Sequence, residues 1–114
     1  MKVFIDDLRK LPDDFDLLFR SGEDFIHYLI KNPNQHFELI SFDHDLGEFN
    51  INGYELIKEL VNNNEIKFTF DKIQFHTSNI IGFENMWHYL YNAQIYNAFP
   101  KGIIDKNLKR YTDY

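Results

Sequence analysis

Short apolar runs recur along the chain, and each is followed by polar residues. Four of them have the length and the Val, Ile and Phe content of buried β-strands; they lie at residues 3–5, 15–20, 37–42 and 72–75. Just before the last run, Ile66, Phe68 and Phe70 alternate with polar residues as in a half-exposed strand. We therefore predict that one of these two neighbouring stretches is an edge strand or part of a loop.

Three further stretches have the spacing of apolar residues that is typical of amphipathic helices. Two of them begin with residues that cap helices, Ser21 with Asp24 and Asn52 with Glu55. The predicted helices end before Pro33, at residues 62–64 and near residue 98, and the last of them begins at residue 82. The alternation of strands and helices predicts an α/β fold with an open, mostly parallel sheet flanked by helices.

The composition fits a single domain that needs no covalent support. The chain has 114 residues, of which 18% are aromatic, so one domain spanning residues 1–114 can bury a core of its own. It contains no cysteine, which excludes a disulfide scaffold, a thiol nucleophile and a cysteine-ligated metal. The absence of cysteine also fits a reducing compartment.

Charge and hydropathy limit the partners. The chain reaches Asp6 before a signal-peptide apolar region can form, and no later stretch is long enough to span a bilayer, so we expect a cytoplasmic protein with no membrane partner. The formal net charge of -6 disfavours binding along duplex nucleic acid. A small nucleotide or the end of an RNA remains a suitable partner, because a metal ion and a few cations can hold it. The oligomeric state stays open.

Acidic residues directly follow the first and third predicted strands. Asp6 and Asp7 come after residue 5, and Asp43 and Asp45 come after residue 42. The carboxyl ends of parallel strands meet at one edge of a sheet, so these four side chains should converge there and repel one another unless a cation lies between them. Oxygen ligands favour Mg²⁺ or Mn²⁺, with Ca²⁺ possible. The alternative is that they are ordinary turn and helix-cap acids.

Two histidines lie at the same predicted edge as the acids. His44 and His76 are candidates for general base and general acid, with Asp45 as a further catalytic candidate, because imidazole titrates near neutrality. Either histidine could instead be a buried, hydrogen-bonded structural residue. Asp43 and Asp45 share one face of an extended chain while His44 points away, unless a loop begins at His44.

Cationic and polar residues nearby are candidates for binding phosphate. Arg9 has a planar guanidinium suited to phosphate oxygens, although a salt bridge to the neighbouring acids is an equal alternative. Thr77, Ser78 and Asn79 follow the last strand and can donate to phosphate or cap the next helix. Asn85 lies about one turn into that helix and faces either the site or solvent.

The order of these motifs resembles the receiver domains of two-component signalling. Receivers have adjacent acids after their first strand, an Asp after the third and a Ser or Thr after the next; they bind Mg²⁺ and accept a phosphoryl group on the third-strand Asp. The resemblance implies a compact receiver-like, flavodoxin-like α/β fold. A receiver also has a Lys followed by Pro after its fifth strand, and the nearest candidate here is the reversed pair Pro100-Lys101.

A closer resemblance is to the receiver-like family of cyclic-phosphate-processing domains. The motifs that carry it are Ile5-Asp6-Asp7-Leu8-Arg9 with Pro12, Ser41-Phe42-Asp43-His44-Asp45-Leu46-Gly47, Asn52-Gly53-Tyr54, and His76-Thr77-Ser78-Asn79 with Gly82, Asn85 and Met86. The chain departs from the family at Ile80, where a Pro is common. The resemblance implies a metal-dependent phosphoesterase acting on a cyclic nucleotide or a 2′,3′-cyclic RNA end. The alternatives are a nucleotide-sequestering module without catalysis and a phosphoacceptor receiver.

Overall fold

Five parallel strands form one open sheet in the computed structural model, which describes residues 1–111. The strands are β1 (Lys2–Ile5), β2 (Leu17–Phe19), β3 (Gln35–Phe42), β4 (Phe68–Phe75) and β5 (Ile103–Ile104). Their order across the sheet is β2-β1-β3-β4-β5, the order of flavodoxin-like folds. The predicted receiver-like α/β fold is confirmed, and every strand pair is parallel. Residues 112–114 of the predicted domain lie outside the described residues.

Two of the three helices begin where their caps predict. The helices are α1 (Gly22–Lys31), α2 (Gly53–Asn62) and α3 (Ile80–Ile95). The side chain of Ser21 accepts a hydrogen bond from the backbone amide of Asp24, and Asn52 and Glu55 form a reciprocal capping box. In the described part of the chain, no helix is long and apolar enough to cross a membrane.

The third helix begins and ends earlier than predicted. Asn79 caps it by accepting a hydrogen bond from the backbone amide of Gly82, so α3 begins at Ile80 rather than at residue 82. It ends at Ile95 rather than near residue 98. Asn97 has a φ of 57°, a left-handed conformation that a helix does not continue through.

All three helices lie on one face of the sheet. The crossovers from β2 to β3, β3 to β4 and β4 to β5 advance in the same direction, and right-handed connections therefore place α1, α2 and α3 side by side. Val3 and Ile5 join the main hydrophobic cluster on this face. Phe4 points to the opposite face, where the rings of Phe15 and Tyr111 pack edge-on against it. This second face is thus covered by the segment before β2 and the segment after β5.

The stretch that was predicted as an edge or a loop joins the following stretch in one strand, so the predicted division is wrong. Among the described residues, Phe68 and Phe70 pair with β3 alone, so this half of the strand is an edge as predicted. β4 is continuous from Phe68 to Phe75 and lies between β3 and β5. The buried positions shift by one residue within the strand: Phe68 and Phe70 are buried at even positions, whereas Ile73 and Phe75 are buried at odd positions. β3 changes phase at the paired position, so the two strands stay in register. An unbroken alternation of period two does not describe such a strand.

The residues after α3 return to the sheet as β5, a strand that the sequence pattern did not predict. Beyond β5 the backbone amide of Asp105 donates to the carbonyl of Ile73 (2.8 Å), and that of Lys109 donates to the carbonyl of Phe75 (2.9 Å). The C-terminal segment, residues 105–111, therefore follows β4 to its carboxyl end.

Candidate active site

Three buried side chains meet beyond the carboxyl ends of the central strands. Asp6 follows β1, Asp43 follows β3 and His76 follows β4, and one ligand atom from each lies within 4.8 Å of the others. Backbone hydrogen bonds continue the sheet at these positions: Asp43 donates to Ile5 (3.0 Å) and His76 donates to Phe42 (2.9 Å). The convergence expected from parallel strand ends is therefore observed for Asp6 and Asp43.

The carboxylate of Asp6 accepts four hydrogen bonds. Its Oδ1 accepts from the backbone amides of Leu8 (2.8 Å) and Arg9 (2.7 Å), and its Oδ2 accepts from Arg9 Nη1 (2.9 Å) and from His76 Nε2 (3.0 Å). Burial alone raises the pKa of Asp6, but these donors, His76 foremost, outweigh it and hold the pKa well below its ordinary value. Asp6 is therefore a fully charged and fully satisfied carboxylate.

The imidazole of His76 is held on both sides. Its Nε2 contacts Asp6, its Nδ1 lies 2.7 Å from Ser41 Oγ, and its ring stacks on Phe4 with centroids 4.2 Å apart. Gln74 Nε2 donates to the same Ser41 hydroxyl (3.0 Å). The carboxylate requires a donor, so Nε2 carries the proton. His76 thus orients Asp6, with both ring nitrogens engaged.

One guanidinium serves both buried carboxylates. Arg9 Nη1 lies 2.9 Å from Asp6 Oδ2 and 3.2 Å from Asp43 Oδ2. Burial and the charge of Asp6 raise the pKa of Asp43, against the opposing effects of His76, a hydrogen bond from Thr77 and the charge of Arg9. The structure shows the salt-bridge alternative for Arg9, and its single charge balances only one of the two carboxylates.

The donor set fits a divalent ion. Two carboxylates at this spacing are suitable ligands for Mg²⁺ or Mn²⁺. The imidazole of His76 donates to Asp6, so it orients one ligand instead of binding the ion. Because Arg9 Nη1 already lies between the same carboxylate oxygens, an ion and the guanidinium compete for one position.

The four predicted metal-ligating acids are divided by the fold. Asp6 and Asp43 belong to the buried cluster, whose third member is His76. Asp7 is half-buried, and its pKa is raised by burial and by the charges of Asp6 and Asp45. Asp45 has a side chain that is 66% exposed. Asp7 and Asp45 thus add negative potential around the cluster without joining it.

His44 and Asp45 form a separate pair in the loop after β3. His44 Nδ1 lies 3.0 Å from Asp45 Oδ1 and 3.3 Å from Asn79 Nδ2. The shorter contact to a carboxylate requires a proton on Nδ1, which leaves Nε2 as an acceptor. Within residues 1–111, Nε2 has no hydrogen-bond partner. β3 ends at Phe42, so these residues are not bound by the strand alternation and His44 can lie beside Asp45.

Two glycines hold this loop close to the helices. A Cβ at Gly53 would lie 2.3 Å from the carbonyl oxygen of Asp43, and a Cβ at Gly82 would lie 2.5 Å from the ring of His44. Gly53 also donates its backbone amide to the carbonyl of His44. The glycines at the starts of α2 and α3 therefore let both helices approach the loop and fix the position of His44.

A cleft of about 390 Å³ opens beside the buried cluster. Arg9 and His76 line it, as do Thr77 and Ser78, two of the predicted phosphate ligands. Ile80, at the position where a proline was expected, is 55% exposed and lines the cleft as well. The cleft therefore combines cationic, hydroxyl and apolar groups.

The remaining predicted substrate ligands lie outside this lining. Asn79 is occupied as the cap of α3, and Asn85 is exposed on that helix. Sequence reasoning did not assign the C-terminal residues to the site, yet Lys109, Arg110 and Tyr111 line the cleft. The sequence signal for them is the basic character of the residues after 100, which include Lys101, Lys106, Lys109 and Arg110. The strand that directs them has only two residues and gives no pattern of its own.

The lysine that lines the cleft after the fifth strand is Lys109, whereas the lysine that most resembled the Lys-Pro motif of receivers in sequence is Lys101. Lys101 lies before β5, and its Nζ donates to the carbonyl of Gln94 on α3. Lys109 lies after β5 and lines the cleft. Lys101, the nearest candidate in sequence, therefore lies outside the cleft lining, because β5 separates it from the carboxyl edge of the sheet.

The sheet order, the buried acidic cluster and the hydroxyl-lined cleft define a receiver-like α/β domain. The family model described as "Cyclic-phosphate processing Receiver domain" matches residues 1–92. The chain belongs to this family, as its motifs indicated. No curated protein and no solved structure matches the chain.

Proposed function

We propose that this chain is a metal-dependent phosphoesterase that opens a small cyclic phosphate, either a 2′,3′-cyclic RNA end or a cyclic nucleotide. The family association supports the cyclic phosphate as ligand. The observation that supports the reaction is the pairing of two buried carboxylates, undercompensated by one guanidinium, with an adjacent cleft of about 390 Å³.

Asp6 and Asp43 are the residues that would hold Mg²⁺ or Mn²⁺, and His76 would orient Asp6 beside the ion. When bound there, such an ion would supply Lewis-acid polarisation of a phosphoryl oxygen and charge neutralisation for the leaving oxygen. His76 keeps Asp6 ionised and oriented through Nε2, while Ser41 fixes the other side of the ring.

His44 is the proposed general base. Asp45 would hold the proton on Nδ1, which leaves Nε2 as the basic atom of the ring. Nε2 accepts a proton from the attacking water, the new oxygen–phosphorus bond forms, and the bond from phosphorus to one ribose oxygen breaks. The leaving oxygen takes up a proton from solvent, His44 releases its extra proton to solvent, and the product is a ring-opened phosphomonoester.

Arg9 and the hydroxyl groups are the proposed phosphate ligands. Arg9 lines both the acidic cluster and the cleft, so a guanidinium that leaves the carboxylates can contact phosphate oxygens. Ser78 offers a hydroxyl donor on the same cleft, and Thr77 would offer a second one if its hydroxyl turned away from Asp43. Such contacts would hold the cyclic phosphate between the acidic cluster and the C-terminal segment.

The variant His44→Gln tests the proposed base. We expect turnover of adenosine 2′,3′-cyclic phosphate with Mn²⁺ to fall by about 10²- to 10⁴-fold, while the melting temperature stays at the parental value. His88→Gln is the matched control, because His88 is exposed on α3. Equal turnover in the two variants contradicts the role of His44.

A second outcome separates catalysis from sequestration. If the parent protein binds the cyclic nucleotide at one molecule per chain and returns it intact, the site is a binding module. Formation of an acid-labile phosphate on Asp43 or Asp45 instead indicates a phosphoacceptor receiver.

A further inference from the structure

Two cations at the end of the C-terminal segment have charge that the described residues do not compensate. Lys109 shares the carboxylate of Asp105 with Lys72, each Nζ lying 3.3 Å from Oδ2, so two positive charges meet one negative charge. Arg110 is exposed and makes no hydrogen bond or salt bridge with any residue in 1–111. This local excess occurs in a chain whose formal net charge is -6.

The fold holds these cations beside the cleft. The backbone amide of Lys109 donates to the carbonyl of Phe75 at the end of β4 (2.9 Å), one residue before His76. Lys109 and Arg110 therefore line the cleft together with Thr77 and Ser78. They also lie beyond the residues 1–92 that the family model covers, so the family match does not account for them.

The charge of the cleft exceeds what a cyclic phosphate requires. A cyclic phosphodiester carries one negative charge. With a divalent ion on Asp6 and Asp43, Arg9 would leave these carboxylates and its charge would match that of the cyclic phosphate, so the charges of Lys109 and Arg110 would remain in excess. From the excess charge we infer that Lys109 and Arg110 form a subsite for a second phosphate, one ribose away from the cyclic phosphate. The inference rests on the proposed function and narrows its ligand: the preferred substrate is a nucleotide that carries a 5′ phosphate as well as the 2′,3′-cyclic phosphate.

Apolar groups in the same cleft fit the connecting nucleoside. Ile80, Leu108 and Tyr111 line the same cleft as the hydroxyl groups after β4 and the two cations. A ribose and base can pack on such side chains while the phosphates contact polar groups at either end.

Equilibrium binding measures the subsite separately from turnover. The ligands are adenosine 2′,3′-cyclic phosphate and its 5′-phosphorylated derivative, titrated calorimetrically into the full chain in EDTA, where metal-dependent hydrolysis does not proceed. We expect the 5′-phosphorylated ligand to bind about tenfold more tightly, as charge-assisted contacts at a partly exposed site allow. The preference should weaken as ionic strength rises, because solvent-exposed charges are screened.

Variants assign the preference to the subsite. Arg110→Gln should reduce it to about threefold or less. Lys101→Gln, a change of the same type outside the cleft lining, should keep it. The affinity of a dinucleotide that ends in a 2′,3′-cyclic phosphate shows whether the subsite accepts a phosphodiester or requires a terminal phosphate as the second group.

Either of two results overturns the inference. One is equal affinity for the two mononucleotides in the parent protein, and the other is no binding of the 5′-phosphorylated ligand at millimolar concentration. Equal affinity leaves the proposed esterase activity intact, whereas a tenfold preference without any turnover retains the subsite and removes the enzyme.

Discussion

Replacing Asp6 by asparagine tests whether its carboxylate anchors the site. In Asp6→Asn, Oδ1 still accepts from the two backbone amides, but the group that replaces Oδ2 cannot accept from His76 or Arg9. Hydrogen bonds to charged groups are worth about 1.5–3 kcal/mol each, so we expect the free energy of unfolding to fall by about 3–5 kcal/mol. A domain of ordinary stability has about 5–15 kcal/mol in total.

Asp43→Asn is the matched control for this change. It also neutralises a buried carboxylate that contacts Arg9, but it relieves the burial and the repulsion from Asp6 that raise the pKa of Asp43. The lost contact and the relieved repulsion oppose each other. We expect a net cost below about 1 kcal/mol.

Urea denaturation in EDTA, followed by the fluorescence of Trp87, compares the two variants with the parent. The depressed pKa of Asp6 contributes stability that is present at neutral pH and is lost as pH falls below about 4 towards the folded-state pKa. The gap between the parent and Asp6→Asn should therefore narrow in acid. Equal costs for the two variants at neutral pH, or a gap that widens in acid, refute the reasoning.

Three further changes test other contacts. In Arg9→Gln, Mn²⁺ should raise the melting temperature more steeply than in the parent, because the guanidinium no longer competes for the buried carboxylates; a weaker response contradicts competition. Tyr111→Phe removes the hydrogen bond that Gln74 donates to the phenol oxygen (3.0 Å) and should lower the free energy of unfolding by about 0.5–1.5 kcal/mol in urea denaturation; unchanged stability contradicts that contact. Gly82→Ala places a Cβ 2.5 Å from the ring of His44, so cyclic-nucleotide turnover should fall while the circular dichroism spectrum is retained; parental turnover contradicts the proposed packing.

Local patterns predicted most of the fold. The caps at Ser21 and Asn52 predict helix starts because capping depends on residues that are neighbours in sequence. The central strand β4 was misread because its change of phase is compensated only by β3, through pairing that is distant along the chain. β5 was missed because two residues carry too little pattern to indicate a strand.

The candidate site was predictable in its position and only partly in its contacts. Asp6 and Asp43 follow apolar runs, so their convergence depends on topology alone. Ser41 holds His76 from the sheet face opposite to the main hydrophobic cluster. A pattern of apolar positions does not indicate a polar residue on that face. The choice of Arg9 between phosphate and carboxylate is decided by distances that no spacing rule supplies.

Hydrolysis of adenosine 2′,3′-cyclic phosphate in ¹⁸O-labelled water tests the central claim most directly. With the parent chain and Mn²⁺, the account predicts multiple turnovers, one labelled oxygen in the phosphomonoester product by mass spectrometry, and loss of product formation in EDTA. Recovery of the cyclic nucleotide intact and unlabelled, across Mg²⁺, Mn²⁺ and Ca²⁺, would contradict it.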